Sequence, residues 1–271
     1  MNDIADNRPV IFLDSGVGGI PYCKSFKKRN PGESVIYLAD RGNFPYGSKS
    51  RAELITLLVE LVELLVESIN PKIIVLACNT ATVSAIGELR QRFPNIVFVG
   101  TEPSVKPAML ACTTGKVGVL ATERTIEELK TRHSSDRACE IYGIAAPQLT
   151  EFVEQRFIDA GENEKEETVK EYIKRFRAAG TDCVVLGCTH FLFLAKEFQK
   201  EAAPGIKIFD SLDPVTRRIE SLLNDNGGAL RAKNSKKTVD KFMITGTELP
   251  DSSWQRWAEH LGFPISLFGG T

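Results

Sequence analysis

Histidine is scarce in this chain, with three among 271 residues, and none of the six cysteines stands in a CxxC pair. That combination lacks the ligand spacing of a structural zinc site, so no metal is expected. No secretion leader is expected either, because the opening MNDIADNRPV is polar and acidic instead of basic and then apolar. The thiols are therefore expected to be reduced and the protein cytoplasmic. The longest apolar stretch, 54–69, is interrupted by Glu60, Glu63 and Glu67, which removes it as a membrane span. Neither sign of charge dominates, since 34 Lys and Arg stand against 35 Asp and Glu for a net charge of −1. Such a balance supplies no field for nucleic acid or an anionic membrane, and neither is expected as a partner.

What the chain does have is rhythm. Short apolar, β-branched runs at 10–13, 35–38, 73–77, 96–99, 117–120, 140–144, 183–186, 206–209, 239–244 and 265–268 alternate with helical patterns. This alternation predicts an α/β fold of parallel sheets covered by helices on both faces. One helix is especially legible. Ser50 caps it with Glu53 three residues later, and Leu54, Leu57, Leu58, Leu61, Leu65 and Ile69 follow at helical spacing before Asn70-Pro71 stops the run. A second helix, over 164–179, ends at Gly180 in the place of a left-handed cap. The polar stretch 224–237 reads as a surface loop.

The first four runs and the next four keep a similar spacing, and the third run of each set ends in a related phrase, VLACNTA and VLGCTHF. We read a duplication: two similar α/β lobes, each a mainly parallel sheet flanked by helices, with the active site in the cleft between them. The first lobe comprises 1–100 and 210–271, and the second 101–209.

Open parallel sheets bind ligands beyond the carboxyl ends of their strands. Asp14-Ser15-Gly16-Val17-Gly18-Gly19 follows the first strand, and its glycines leave backbone amides free for an anion. Pro21 occupies the place of the third glycine of GxGxxG, so a carboxylate is the preferred ligand over a nucleotide; a tight strand-to-helix turn is the plainer alternative. Cys78-Asn79-Thr80 ends the third strand before a helix, where dipole and free amides stabilise a thiolate. Asn79 and Thr80 add amide and hydroxyl groups suited to a carboxylate or ammonium. Cys188-Thr189-His190 holds the equivalent place in the second half, with His190 either polarising its surroundings or serving structure alone. Thr122 and Thr125, after the fifth strand, either bind an anion or cap a helix. Cys23, Cys112, Cys139 and Cys183 have no comparable context and read as small buried hydrophobes.

Two strand-end thiols on facing lobes suggest an acid and a base on opposite sides of one substrate. Taking an α-proton from one face and delivering one to the other inverts the stereocentre. A thiol suits both roles near neutral pH, given stabilisation of the charge that develops at the carbon. A Cys-His-Asp or Cys-His-Asn set for a thiol hydrolase cannot be paired from the residues alone.

The phrases IFLDSGVGGI, NFPYGSKS, LACNTAT, GTEPSVKPA and LGCTHF resemble, in order and spacing, the motifs of glutamate racemases, and the likeness spans nearly the whole chain. The resemblance implies a cofactor-independent enzyme, without pyridoxal phosphate, metal or nucleotide, that interconverts L- and D-glutamate for peptidoglycan and works as a homodimer. It implies Cys78 as the base for D-glutamate and Cys188 as the base for L-glutamate, with Asp14 and His190 as auxiliary catalytic residues. Asp14, Ser15, Tyr46, Gly47, Asn79, Thr80 and Thr189 match its substrate-contact positions, and Glu154 matches a supporting acidic position. Tyr46-Gly47 after Pro45 is otherwise a simple turn, and Glu154 otherwise part of a solvated helix face. Departures from the family pattern stand at Arg41-Gly42-Asn43, at Leu192-Phe193 and over 146–151, where Ala146 replaces a common cysteine and Gln148-Leu149-Thr150-Glu151 an apolar run. The alternatives are a racemase of aspartate or another amino acid, and a non-catalytic homologue that binds a small acid.

Overall fold

The structure, a computed structural model, describes residues 6–133, 139–228, 230–232 and 238–269, with the backbone alone at 226–228. The chain runs β1 (Val10–Asp14), α1 (Ile20–Arg29), β2 (Val35–Ala39), α2 (Arg51–Ser68), β3 (Ile73–Leu76), α3 (Asn79–Arg92) and β4 (Val97–Gly100). There follow α4 (Val105–Ala111), β5 (Lys116–Ala121), α5 (Glu123–Arg132), β6 (Glu140–Ala145), α6 (Pro147–Gln155), α7 (Glu162–Ala178), β7 (Cys183–Leu186), α8 (Ala195–Ala202) and β8 (Lys207–Phe209). The last elements are α9 (Leu212–Gly228), β9 (Asp240–Ile244), α10 (Ser252–Leu261) and β10 (Ile265–Leu267). Every strand falls on one of the apolar runs. Among the described residues, no helix is long and apolar enough to cross a membrane.

The chain divides into two compact units, Met1–Thr101 with Leu212–Thr271, and Glu102–Ser211. The first holds a six-stranded parallel sheet in the order β10-β9-β2-β1-β3-β4. The second holds a four-stranded parallel sheet in the order β6-β5-β7-β8. Within each unit the first four strands are therefore arranged second-first-third-fourth, which is the duplication expressed as topology. In such a sheet the order reverses between the first and third strands, and the chain leaves that point in opposite directions. The register there is also shared: Leu13 pairs with Leu76, and Leu120 with Leu186. One residue further on, Ala77 N donates to Leu13 O and Gly187 N donates to Leu120 O, both at 2.7 Å.

Strands β1, β2 and β3 are buried at every position, as a sheet covered on both faces requires. Alternate residues separate the two faces. Ile11, Leu13, Ile36, Leu38, Ile74 and Leu76 form one cluster with Leu54, Leu58, Leu61, Val62 and Leu65 of α2 and Ala81, Ala85 and Leu89 of α3. Phe12 on the other face meets Phe26 of α1, ring centroids 5.6 Å apart. The cap foreseen for α2 is present, with Ser50 Oγ accepting from Glu53 N at 3.2 Å, and Asn70 stops the helix at φ +53. Helix α7 ends at Ala178, with Gly180 at φ +75 close behind it.

The loop expected over 224–237 begins later than the polar composition indicated. Helix α9 continues to Gly228 because Val215, Ile219 and Leu223 bury one helical stripe, leaving Asn224 and Asp225 on its exposed side. Residues 233–237 lie outside the described residues.

Candidate active site

In the first unit the reversal point between β1 and β3 gathers Asp14, Ser15 and Cys78. Asp14 is the last residue of β1 and fully buried; its Oδ1 accepts from Ser15 Oγ and from Gly16 N, each at 3.2 Å. The loop beyond it lies hard against β3. A Cβ on Gly19 would stand 2.7 Å from Ala77 Cβ and 3.2 Å from Asp14 Oδ2, so this position requires glycine. Tyr37 of β2 clamps the same loop, donating from its hydroxyl to Gly16 O at 2.7 Å and accepting from Gly19 N at 3.1 Å. Nothing in the motif pointed to Tyr37, which lies on a different strand.

Cys78 follows β3 at φ −135, ψ 122 and occupies the N-cap of α3, a place normally taken by a hydroxyl or carboxamide. Its thiol makes no side-chain cap, and its residue is 7% exposed. Asn79 is buried and donates from Nδ2 to Thr101 O, while Thr82 and Thr101 both direct hydroxyls at Leu76 O, each at 3.1 Å. Thr80 is buried beside them.

Tyr46 and Gly47 lie in a short 3-10 turn, Tyr46–Ser48, that is more than a connector. Tyr46 is 1% exposed and donates to Asp40 Oδ2 at 2.7 Å. Burial, the charge of Asp40 and that hydrogen bond hold its phenol well above the ordinary tyrosine range, with the charges of Cys78 and Asp14 adding to the effect. It remains a neutral donor. Asp40 also accepts from Asn43 Nδ2 at 3.1 Å and from Thr245 Oγ1 at 2.5 Å. The first family departure thus has a local account: Asn43 holds Asp40, and Arg41 donates to Thr245 O and Glu248 O after β9.

In the second unit, Cys188 leaves β7 at φ −133, ψ 137, nearly the angles of Cys78, and opens the 3-10 helix Thr189–Leu194. Its Sγ lies 3.7 Å from His190 Nδ1 and 3.9 Å from Thr150 Oγ1. His190 Nε2 lies 2.6 Å from Glu154 Oε1. Burial disfavours the imidazolium, but the hydrogen bonds and charges of Cys188 and Glu154 outweigh that cost and raise the His190 pKa well above its ordinary value. The structure therefore supplies the thiol–imidazole–carboxylate chain that residue spacing alone did not reveal. Glu154 is no part of a solvated face; its side chain is 14% exposed and directed at His190. His190 is equally not an isolated core residue. Thr189 is buried next to both.

Thr122 is the N-cap of α5, accepting from Thr125 N at 3.2 Å and donating to Thr125 Oγ1 at 3.0 Å, so its capping role is the one expressed. Of the other departures, Phe193 packs on Phe157 with centroids 5.0 Å apart, and Thr150 reaches the sulfur of Cys188. The remaining cysteines have a different character. Cys23 is fully buried, and burial with the Asp182 charge pushes the Cys183 thiol up to about 11.

Comparison with known proteins identifies the family. Residues 24–218 match the family described as Asp/Glu/hydantoin racemase. A glutamate racemase of Herpetosiphon aurantiacus is 38% identical over 225 residues, 80% of this chain and 85% of its own length. One from Clostridium botulinum is 37% identical over 258 residues, 91% of this chain and 98% of its own. Among solved structures, the Escherichia coli glutamate racemase in complex with L-glutamate and the activator UDP-MurNAc-Ala superposes with a TM-score of 0.80 at 27% identity, covering 96% of this chain and 98% of that one.

Proposed function

The chain belongs to the Asp/Glu/hydantoin racemase family, and from that premise we propose that it interconverts L- and D-glutamate by two thiol-mediated proton transfers. D-glutamate made this way supplies peptidoglycan. The observation that carries the mechanism is the repeated placing of a buried cysteine, Cys78 and Cys188, beyond the third strand of each duplicated sheet. Reversal points are where parallel sheets take ligands.

In this reading Cys188 as thiolate removes the α-proton of L-glutamate while Cys78 as thiol delivers one to the opposite face; D-glutamate runs the same steps backward. His190, carried by Glu154, stabilises the thiolate of Cys188, and Asp14 assists Cys78. Asp14, Ser15, Asn79, Thr80 and Thr189 bind the amino-acid head group through side chains and loop amides. Tyr46, Gly47 and Thr122 line the remaining wall. We extend the reading to a cytoplasmic homodimer, a state that light scattering of the purified protein checks.

The test is incubation with L-glutamate in heavy water without added cofactor, following α-deuteration and optical rotation. Deuterium should enter as D-glutamate forms. Cys78→Ala and Cys188→Ala should each abolish racemisation, and racemisation near the wild-type rate in either variant rejects the two-thiol mechanism. A panel of aspartate and other amino acids separates glutamate from the related substrates. Binding of glutamate without any solvent exchange would identify a non-catalytic homologue.

A further inference from the structure

The thiol of Cys188 has a second partner besides His190. Thr150, on the first turns of α6, brings its hydroxyl oxygen to 3.9 Å from Sγ, within the reach of a sulfur hydrogen bond. The two contacts come from different elements, Thr150 from α6 and His190 from the 3-10 helix after β7. Among the described residues of this unit, the titratable groups that hydrogen-bond contacts link to the sulfur are His190 directly and Glu154 through His190. Thr150 carries no charge at any working pH.

Unlike an imidazolium, which only donates, a neutral hydroxyl both donates and accepts. We propose that Thr150 is a further positioning residue of the reaction, a two-way hydrogen-bond partner that holds Cys188 in line in both of its protonation states. The proposal rests on the reading of Cys188 as a catalytic base. While Cys188 is a thiolate, the Thr150 O–H donates to Sγ. Once Sγ has taken the α-proton of L-glutamate, the new S–H donates to Thr150 Oγ1 and the hydroxyl proton turns elsewhere. No proton is gained or lost by Thr150 in either step. Because a hydrogen bond to an ionised partner is the stronger of the two, the hydroxyl favours the thiolate on balance.

The test measures Cys188 itself. In a Cys78→Ala background, alkylation of the Cys188 peptide by iodoacetamide is followed by mass spectrometry against pH, with Thr150, Thr150→Ser and Thr150→Val compared. Thr150→Val should move the alkylation midpoint upward by on the order of one pH unit, so that labelling slows roughly tenfold on the acid side. Thr150→Ser should restore the midpoint. A purely structural role would change folding without moving the midpoint, and circular dichroism of each variant separates the two. A folded Thr150→Val protein with an unmoved midpoint overturns the proposal. Separately, racemase activity surviving in Cys188→Ala would defeat the underlying reading of Cys188, whatever the alkylation shows.

Discussion

Cys78 and Cys188 leave their strands at nearly the same backbone angles, yet their surroundings differ in charge. At the end of β1 stands a buried carboxylate, Asp14; at the matching end of β5 stands Ala121. Two residues beyond Cys78 comes Thr80, and two beyond Cys188 comes His190, joined to Glu154. The two units share the strand order and backbone angles that place a thiol, but one thiol follows a strand beside the strand that ends in Asp14 and the other contacts His190. A racemase has reason to keep the backbones alike, since it must treat mirror-image substrates. The proposed mechanism gives no reason to keep the auxiliary groups alike, because in it each thiol changes protonation state in the opposite sense during a turnover.

The comparison breaks most sharply at the sulfurs. Removing either should lower kcat/KM by on the order of 10³-fold or more, since each removes a proton-transfer group outright. Which thiol is lost should matter for exchange. Cys188→Ala should still wash deuterium into D-glutamate, and Cys78→Ala into L-glutamate, each without inversion. Proton NMR in heavy water reads both.

The next effect tests the cationic side alone. L- and D-glutamate have equal free energies in water, so kcat/KM must be equal in the two directions for every variant, and asymmetry can appear only in kcat and KM separately. His190→Asn removes the imidazole that contacts Cys188 Sγ, the group that takes the α-proton of L-glutamate in the proposed mechanism. KM for L-glutamate should therefore rise roughly tenfold relative to KM for D-glutamate, the scale of one lost charged hydrogen bond. Stability gives a second readout with a definite sign. The folded His190 pKa lies above its unfolded value near 6.5. Its contribution is thus complete below about pH 6.5 and declines as pH rises through the folded pKa. The wild-type advantage over His190→Asn in urea titrations should shrink as pH rises above about 6.5, and an advantage that grows with pH would contradict the charged imidazole.

Much of this was visible in the residues before any coordinates. The ten strands were legible because runs such as 73–77 and 183–186 are short, β-branched and bounded by turn residues, and local propensity there agrees with burial on both faces. The strand-end placement of the two thiols was legible because each follows an apolar run in a repeated phrase. Partners from other elements were not. Glu154 is a carboxylate on a helix rich in polar side chains, and only the packing of α6 on the segment after β7 turns it inward to His190. Asp40 and Tyr37 were missed for the same reason: their bonds to Tyr46 and to the Gly16–Gly19 loop join segments far apart in the chain. Spacing reveals which residues share a face, but long-range hydrogen bonds depend on tertiary placement.

Asp40 offers a smaller effect confined to the acidic side. Its carboxylate accepts from Tyr46, Asn43 and Thr245 together, so it fixes the Tyr46–Ser48 turn without standing in the motif. Asp40→Asn keeps the volume and removes the charge, leaving one acceptor oxygen where two stood. KM should rise several-fold in both directions equally, because the turn that forms a wall of the proposed site loosens without altering either thiol. An unequal change would move Asp40 into the proton-transfer machinery.

The smallest effect calibrates the rest, because it touches the scaffold alone. Ser50 caps α2 from a surface position, its Oγ accepting from Glu53 N at 3.2 Å. Ser50→Ala leaves that amide to water and should cost about 1 kcal/mol of unfolding free energy in urea titration. Helix α2 packs on α3, whose first turn begins beside Cys78, so a scaffold that transmits small strains would show the loss in catalysis as well. We expect kcat and KM unchanged, since the buried stripe of Leu54, Leu58, Leu61 and Leu65 holds the helix in place without its cap. A drop in kcat that tracks the lost stability would mean the Cys78 corner is held less rigidly than its burial implies.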